Sequence, residues 1–182
     1  MSNLAKKILI VDGYNVLRSS GFYDPTDDWT DEWYNHAREA LLNDISAQYN
    51  YTVVIVYDAA KRPSHKKMAK LESININKIN TIFTPTGVSA DSQIEKLAYE
   101  AIDQGFKVTI ATSDNIIRNT TSNKHITHIS AVNFCEHLLN DKITEKISHT
   151  NQKNSSNAKI IDTLDDETIK KLKNITKFSP KQ

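Results

Sequence analysis

The chain has 182 residues, 38% of them hydrophobic, a formal net charge of +1 and a mean hydropathy of −0.52, which suits one domain of ordinary size with its own core plus a tail. No apolar run approaches the roughly 20 residues of a membrane span, and Met1–Lys7 leads straight into a strand, so a cytoplasmic location, or an organelle stroma for a plastid-encoded chain, is the expectation. The near-zero charge excludes a globally basic nucleic-acid binder and leaves any electrostatic footprint local, while a single cysteine, Cys135, excludes an internal disulfide or a multi-cysteine zinc site.

Lys7–Val11 is an aliphatic, partly β-branched run bounded by a charge and a glycine, the pattern of a strand buried on both faces of a parallel sheet. Asp12 emerges at its carboxyl end, where open α/β sheets bind ligands. The competing reading makes Asp12 only the cap of the next helix. Gly13 permits a tight backbone turn, and Asn15 adds a neutral oxygen or amide beside the acid. Leu17 to Trp33 reads as a loop rich in acids and rings; Phe22, Tyr23, Trp29 and Trp33 are expected to pin it, with base stacking as the alternative. Thr30 then starts a helix in which Ala37, Leu41, Ile45 and Tyr49 recur at helical spacing.

Thr52–Tyr57 is a second β-branched strand that delivers Asp58 at its exit. Lys61, Arg62, His65, Lys66, Lys67 and Lys70 follow before the next acid, Glu72, and are the best phosphate-contact candidates in the chain, against the alternative of a solvated face. Ile79–Phe83 is a third strand, followed by a Thr84-Pro85-Thr86-Gly87 turn. Ser89 to Ser92 opens an amphipathic helix (Ile94, Leu97, Ala98, Ala101, Ile102) that stops at Gly105. Asp91 and Glu95, four residues apart, share one face of its first turns, although the helix dipole alone also favours acids there.

Lys107–Ala111 is a fourth strand leaving through Thr112-Ser113-Asp114. Residues 115–119 form a short helix, Ile126–Ile129 the last strand, and Ser130 caps a helix to Leu139 in which Cys135 is a buried structural thiol. From Asp141 the composition turns to Asn, Ser, Lys and Thr, with nine lysines against six acids. Residues 1–140 therefore read as the folded domain and 141–182 as a flexible, mildly basic tail with one weak helix over Thr168–Ile175.

Strands alternating with helices predict an α/β fold with a doubly wound, mostly parallel sheet. Asp12, Asp58 and Asp114 then leave one sheet edge, and the helix carrying Asp91 and Glu95 begins on it. Carboxylates converging in this way repel unless a cation sits among them. Hard oxygen donors without His or Cys suit Mg²⁺ or Mn²⁺, which can activate water and stabilise the leaving oxygen of a phosphodiester. There is no P-loop and no Gly-x-Gly-x-x-Gly after any strand. An aspartyl-phosphate hydrolase would want a second Asp where Tyr14 stands, and a phospho-receiver would want a Lys where Ile129-Ser130-Ala131 leaves the last strand.

Asp12-Gly13-Tyr14-Asn15, Val56-Tyr57-Asp58-Ala59, Ala90-Asp91-Ser92-Gln93-Ile94-Glu95 and Thr112-Ser113-Asp114, in this order and spacing, resemble the NYN-domain, YacP-type ribonucleases of the PIN-like superfamily. The resemblance implies a PIN-like fold with helices on both faces of the sheet and a metal-dependent endoribonuclease acting on single-stranded RNA. Some family members are described as ribosome-associated; the alternative is a non-catalytic module docking on RNA or a ribosome. Carried over by motif, Asp12, Asp91 and Asp114 are the core metal-binding acids for Mg²⁺ or Mn²⁺, Asn15 and Glu95 are supporting polar residues, and Asp58 is a further metal-side acid at the rim. RNA contacts are expected from Lys61, Arg62, Lys66, Lys67 and Ser113. Ile117-Arg118 and His128 stand where the family often has a Glu-Gln pair and an Arg, departures that bear on substrate positioning.

Overall fold

A computed structural model describes residues 6–23, 30–59 and 69–140. The basic run from Lys61 to Lys67 and everything from Asp141 onward, including the expected weak helix, lie outside the described residues. Five strands, β1 (Lys7–Asp12), β2 (Thr52–Tyr57), β3 (Ile79–Phe83), β4 (Lys107–Ala111) and β5 (Ile126–Ile129), form one sheet in the order β3-β2-β1-β4-β5. Every pairing is parallel. The chain first winds outward from β1 through β2 to β3, then crosses back to lay β4 on the other side of β1. The carboxyl ends of β1 and β4 therefore flank the point where the winding reverses, the place where such sheets open a crevice.

All six residues of β2 and five of the six in β1 are buried, as expected for strands covered on both faces. Alternation divides their side chains between two cores. Leu9, Val11, Val53, Ile55 and Tyr57 pack with α1 (Gly13–Ser19), α2 (Asp31–Gln48) and a helix over residues 131–140, here α5. Ile8, Ile10, Val54 and Val56 pack with α3 (Ala90–Asp103) and α4 (Asn115–Thr120). The helix α3 is capped by Ser89, which accepts from the Ser92 amide at 3.2 Å, and buries Ile94, Leu97, Ala98 and Ala101. It ends on Gly105 at φ +79°, a left-handed position that closes the helix with the Phe106 amide donating to the Ala101 carbonyl at 2.9 Å.

One element differs from expectation. The segment after Asp12 is helical through Ser19 rather than a loop from Leu17. Asp12 caps this helix and Val16 and Leu17 bury its inner side; seven residues are too few for periodicity to announce a helix that exists through packing. The rings that follow do pin the chain: Phe22 and Tyr23 are buried, and the Tyr23 hydroxyl donates to the buried Asp44 at 2.8 Å. Cys135 is buried as expected, and burial pushes its thiol up to about 12.

Candidate active site

Asp12 shares its face of the sheet with Ile8 and Ile10, because side chains alternate along β1. That face is covered by α3, and Asp91 lies in the first turn of α3. Asp58 follows β2 at the parity of Val54 and Val56, on the same side. Asp114 caps α4, accepting from the Ile116 amide at 2.7 Å. Four acids from four segments are thus directed to one end of one face.

A hydrogen-bonded web holds Asp12 in place. Its Oδ1 accepts from the Asn15 amide at 3.3 Å and its Oδ2 from the Thr112 hydroxyl at 3.1 Å. The same Thr112 oxygen accepts from the Asp114 amide at 3.1 Å, so one hydroxyl ties two of the acids together. The Asn15 side-chain oxygen accepts from the Ser113 amide at 2.7 Å, clamping α1 to the exit of β4, and Ser113 Oγ accepts from the Ala131 amide at 3.0 Å. Asn15 therefore acts as a bracket for the site, and Ser113 as a link to α5. The sequence singled out Thr112 only as part of the Thr112-Ser113-Asp114 motif and assigned it no role; the signal for one was a hydroxyl two residues ahead of Asp114, at the same strand parity as Val108 and Ile110, which pack beneath α3.

Asp12 and Asp114 are each both a helix N-cap and one of the acids, so the two readings of Asp12 hold together: it starts α1 and it stands at the crevice. Asp12 is 7% exposed. Burial, above all, pushes its carboxyl up to about 6; hydrogen bonds from Asn15 and Thr112 oppose the rise, and the charges of Asp91 and Asp114 add to it. Burial also raises Asp91, followed by the charge of Asp114 and, more weakly, of Asp58. Asp12 and Asp91 thus both feel the charge of neighbouring carboxylates, which favours their neutral forms.

Among the described residues, no three His, Cys, Asp or Glu side chains are set to ligate one ion directly. The donor set of carboxylates and one hydroxyl fits a small hard cation that retains several waters and is completed by substrate phosphate, the usual habit of Mg²⁺. Glu95 is half-buried on α3, and no described hydrogen bond or ion pair joins it to the cluster. His128 sits in β5 with Nε2 2.8 Å from Thr121 Oγ1, and burial, then the charge of Arg118, lowers its basicity; it fastens β5 to the end of α4. Lys61, Arg62, Lys66 and Lys67 lie outside the described residues. The chain on either side of them is anchored beside the acids: Ala59 donates to Thr84 Oγ1 at 3.0 Å, and Ala69 is held through both its amide and its carbonyl by the buried Gln93 at 2.9 Å each.

Replacing Thr112 with Val is expected to destabilise the domain by about 1–3 kcal/mol, since the Asp114 amide loses its acceptor and the Asp12 carboxylate a donor. The acid limb of any pH–rate profile should move to higher pH, because the lost donor favoured the ionised form. Urea unfolding and the pH profile check this, and Thr112→Ser, which keeps the hydroxyl, should preserve both.

Comparison with known proteins matches the model of the YacP-like NYN domain to residues 9–177. A Bacillus subtilis (strain 168) protein described as uncharacterized protein YacP is 30% identical over 110 residues, 59% of this chain and 60% of that protein. The alignment thus spans less than two thirds of that relative's length. A crystal structure of a mutant of Rae1 (YacP) from Bacillus subtilis superposes with a TM-score of 0.58 at 21% identity, covering 94% of this chain and 99% of that one. A second Rae1 (YacP) structure gives 0.53 at 23% identity, covering 81% and 80%. At these identities the superpositions show the fold, which is the PIN-like α/β architecture.

Proposed function

Since the chain belongs to the YacP-like NYN-domain family, we propose that it is a metal-dependent endoribonuclease that cleaves single-stranded RNA at the carboxyl edge of its sheet. The observation that carries this reading is the raised Asp12 carboxyl, buried at the winding reversal and pushed up to about 6 by burial with Asp91 and Asp114 adding their charge. Asp12, Asp91 and Asp114 would hold Mg²⁺ or Mn²⁺, with Asp58 at the rim. Such an ion, when bound, supplies charge neutralisation at the scissile phosphate and a more acidic water.

The chain's own residues orient the rest. Thr112 and the Asn15 amide fix the Asp12 carboxylate, so its oxygens need no rearrangement when substrate arrives. Asn15 and Ser113 hold α1 against the exit of β4, and Asp114 is locked by the helix it caps. The run Lys61, Arg62, Lys66 and Lys67 would offset phosphate charge beside an acidic cleft. An unpaired strand, whose backbone can bend to reach acids set at the strand exits, suits this site better than a stiff duplex. The ribosome as the place of action, and the cytoplasm as the compartment, belong to the same proposal.

The test is incubation of the full chain with a circular single-stranded RNA, which only internal cleavage can open. Opening with Mg²⁺ or Mn²⁺, none with EDTA and none with Asp12→Asn is the expected result. Binding without opening under every metal condition would replace this reading with that of a non-catalytic PIN-like RNA-binding module.

A further inference from the structure

On the opposite face of the same sheet edge a group of rings and arginines assembles that no local pattern announces. Tyr57 ends β2 and Phe83 ends β3; they are register partners, and their rings stack with centroids 5.4 Å apart and planes 26° apart. Tyr14, two residues beyond Asp12, lies 5.0 Å from the Tyr57 ring and 5.3 Å from Tyr34. Two arginines sit on these rings. The Arg38 guanidinium lies 5.8 Å from the Tyr57 centroid and 5.5 Å from that of Phe83, and donates to the Tyr14 hydroxyl at 2.8 Å. Arg18 lies 5.3 Å from Tyr14 and 5.4 Å from Tyr34, donating through Nε to the Tyr34 hydroxyl at 2.9 Å.

Stability alone accounts for part of this. Stacked cross-strand rings and cation–π contacts are each worth on the order of 0.5–1 kcal/mol. It does not account for three further features. Phe83 is 47% exposed, although it ends an edge strand where a polar residue would cost nothing. Among the described residues neither arginine takes part in an ion pair, so packing on rings is the one interaction of charge shown for either of them. The Tyr57 hydroxyl is buried with no described hydrogen-bond partner. An exposed ring, backed by a second ring and a fixed guanidinium, together with the terminal N–H groups of Arg18, is what unpaired nucleotides bind: a base stacks on the ring and a phosphate meets Arg18.

We propose that Phe83, backed by Tyr57 and Arg38, is a base-stacking platform for single-stranded RNA, with Arg18 taking a neighbouring phosphate through its two terminal nitrogens. This rests on the nuclease reading for the identity of the ligand, and it adds a subsite outside the carboxylate cluster. Stacking on one ring is indifferent to base identity, so the platform selects unpaired over paired nucleotides rather than a sequence. Arg38 is a positioning residue here, because its nitrogens are engaged by Tyr14 and Asn35.

The experiment is fluorescence anisotropy with a short labelled single-stranded oligoribonucleotide and its abasic counterpart, in low salt with EDTA so that cleavage cannot intervene. Phe83→Leu should weaken binding of the base-bearing strand by roughly 5- to 50-fold and leave the abasic strand unchanged, while Phe83→Tyr binds like the wild type. Arg18→Gln should weaken both strands and reduce the salt slope by about one. Equal binding by Phe83→Leu and wild type, or an equal loss for both strands, overturns the platform. A wild-type chain that binds as expected yet never opens circular RNA overturns only the cleavage reading. A wild-type chain that binds neither strand overturns the platform as well.

Discussion

Asp12→Asn is expected to lower metal-dependent RNA cleavage by at least two to three orders of magnitude, of the order seen when one preorganised charge-stabilising group is removed from a site, while the metal-free protein becomes more stable. Asp91→Asn should abolish cleavage likewise. The stability gain follows from the charge cluster. The Asp12 carboxyl moves from 3.8 to about 6 on folding, so the folded chain binds this proton more tightly than the unfolded one. Stability of the metal-free protein therefore falls as pH rises from about 4 to about 6, and the deficit is complete above that window. At one pKa unit per 1.36 kcal/mol, the deficit is at most about 3 kcal/mol. Asn resembles the protonated acid: its one side-chain oxygen can accept from the Asn15 amide while its Nδ2 donates to the Thr112 oxygen, and it carries no charge to repel Asp91 and Asp114. Thermal melts in EDTA between pH 5 and pH 8 should show the variant above the wild type at pH 8, with the gap closing toward pH 5. Full activity in either variant, or a gap that does not depend on pH, would remove these acids from the site.

Gly13→Ala is expected to cost roughly 1–3 kcal/mol, against the ordinary direction for a helix. Ala in place of Gly normally favours a helix by up to about 1 kcal/mol, and Gly13 is the first residue of α1. Its φ is not in the left-handed region, so a special backbone angle is not the reason for glycine, and the tight-turn role read from the sequence does not apply. The reason is space: a Cβ there would stand 2.2 Å from Cε1 and 2.5 Å from Cδ1 of Tyr57. That ring is 1% exposed and is hemmed in by Tyr14, Phe83 and Arg38, so it cannot swing away as the tip of a flexible side chain could. Overpacking of this kind outweighs the propensity gain. Because Asp12 is the cap of α1, any shift of the helix also displaces the acid, and cleavage should fall beyond the loss of folded protein. A double-mutant cycle with Tyr57→Leu checks the cause: with the ring gone, Gly13→Ala should cost little, giving a coupling of at least about 1 kcal/mol. An undiminished cost would place the strain elsewhere.

The strand framework and the acids at its exits were legible before any coordinates. A parallel strand buried on both faces must be aliphatic throughout, so Lys7–Val11 and Thr52–Tyr57 announce themselves by composition. Asp12, Asp58 and Asp114 stand just beyond such runs or one short turn later. The seven-residue α1 was not legible, because it owes its existence to the Asp12 cap and to the burial of Val16 and Leu17 rather than to any repeat.

By itself, then, the sequence determined the five strands and the longer helices along the chain, the end of the sheet at which the acids gather, and the family, since each depends on local pattern and spacing. Only the tertiary structure decided which groups meet. Thr112 reaches Asp12 across 100 residues, and Asn15 reaches Ser113 across 98, because the winding reverses and lays β4 beside β1. Strand alternation then sends Asp12 to the α3 face and Tyr57 to the α2 face, where Arg38 finds it together with Phe83. Contacts of this kind depend on the order of strands in the sheet and on facing, which are set by the packing of all five strands at once, and no stretch of chain carries them alone.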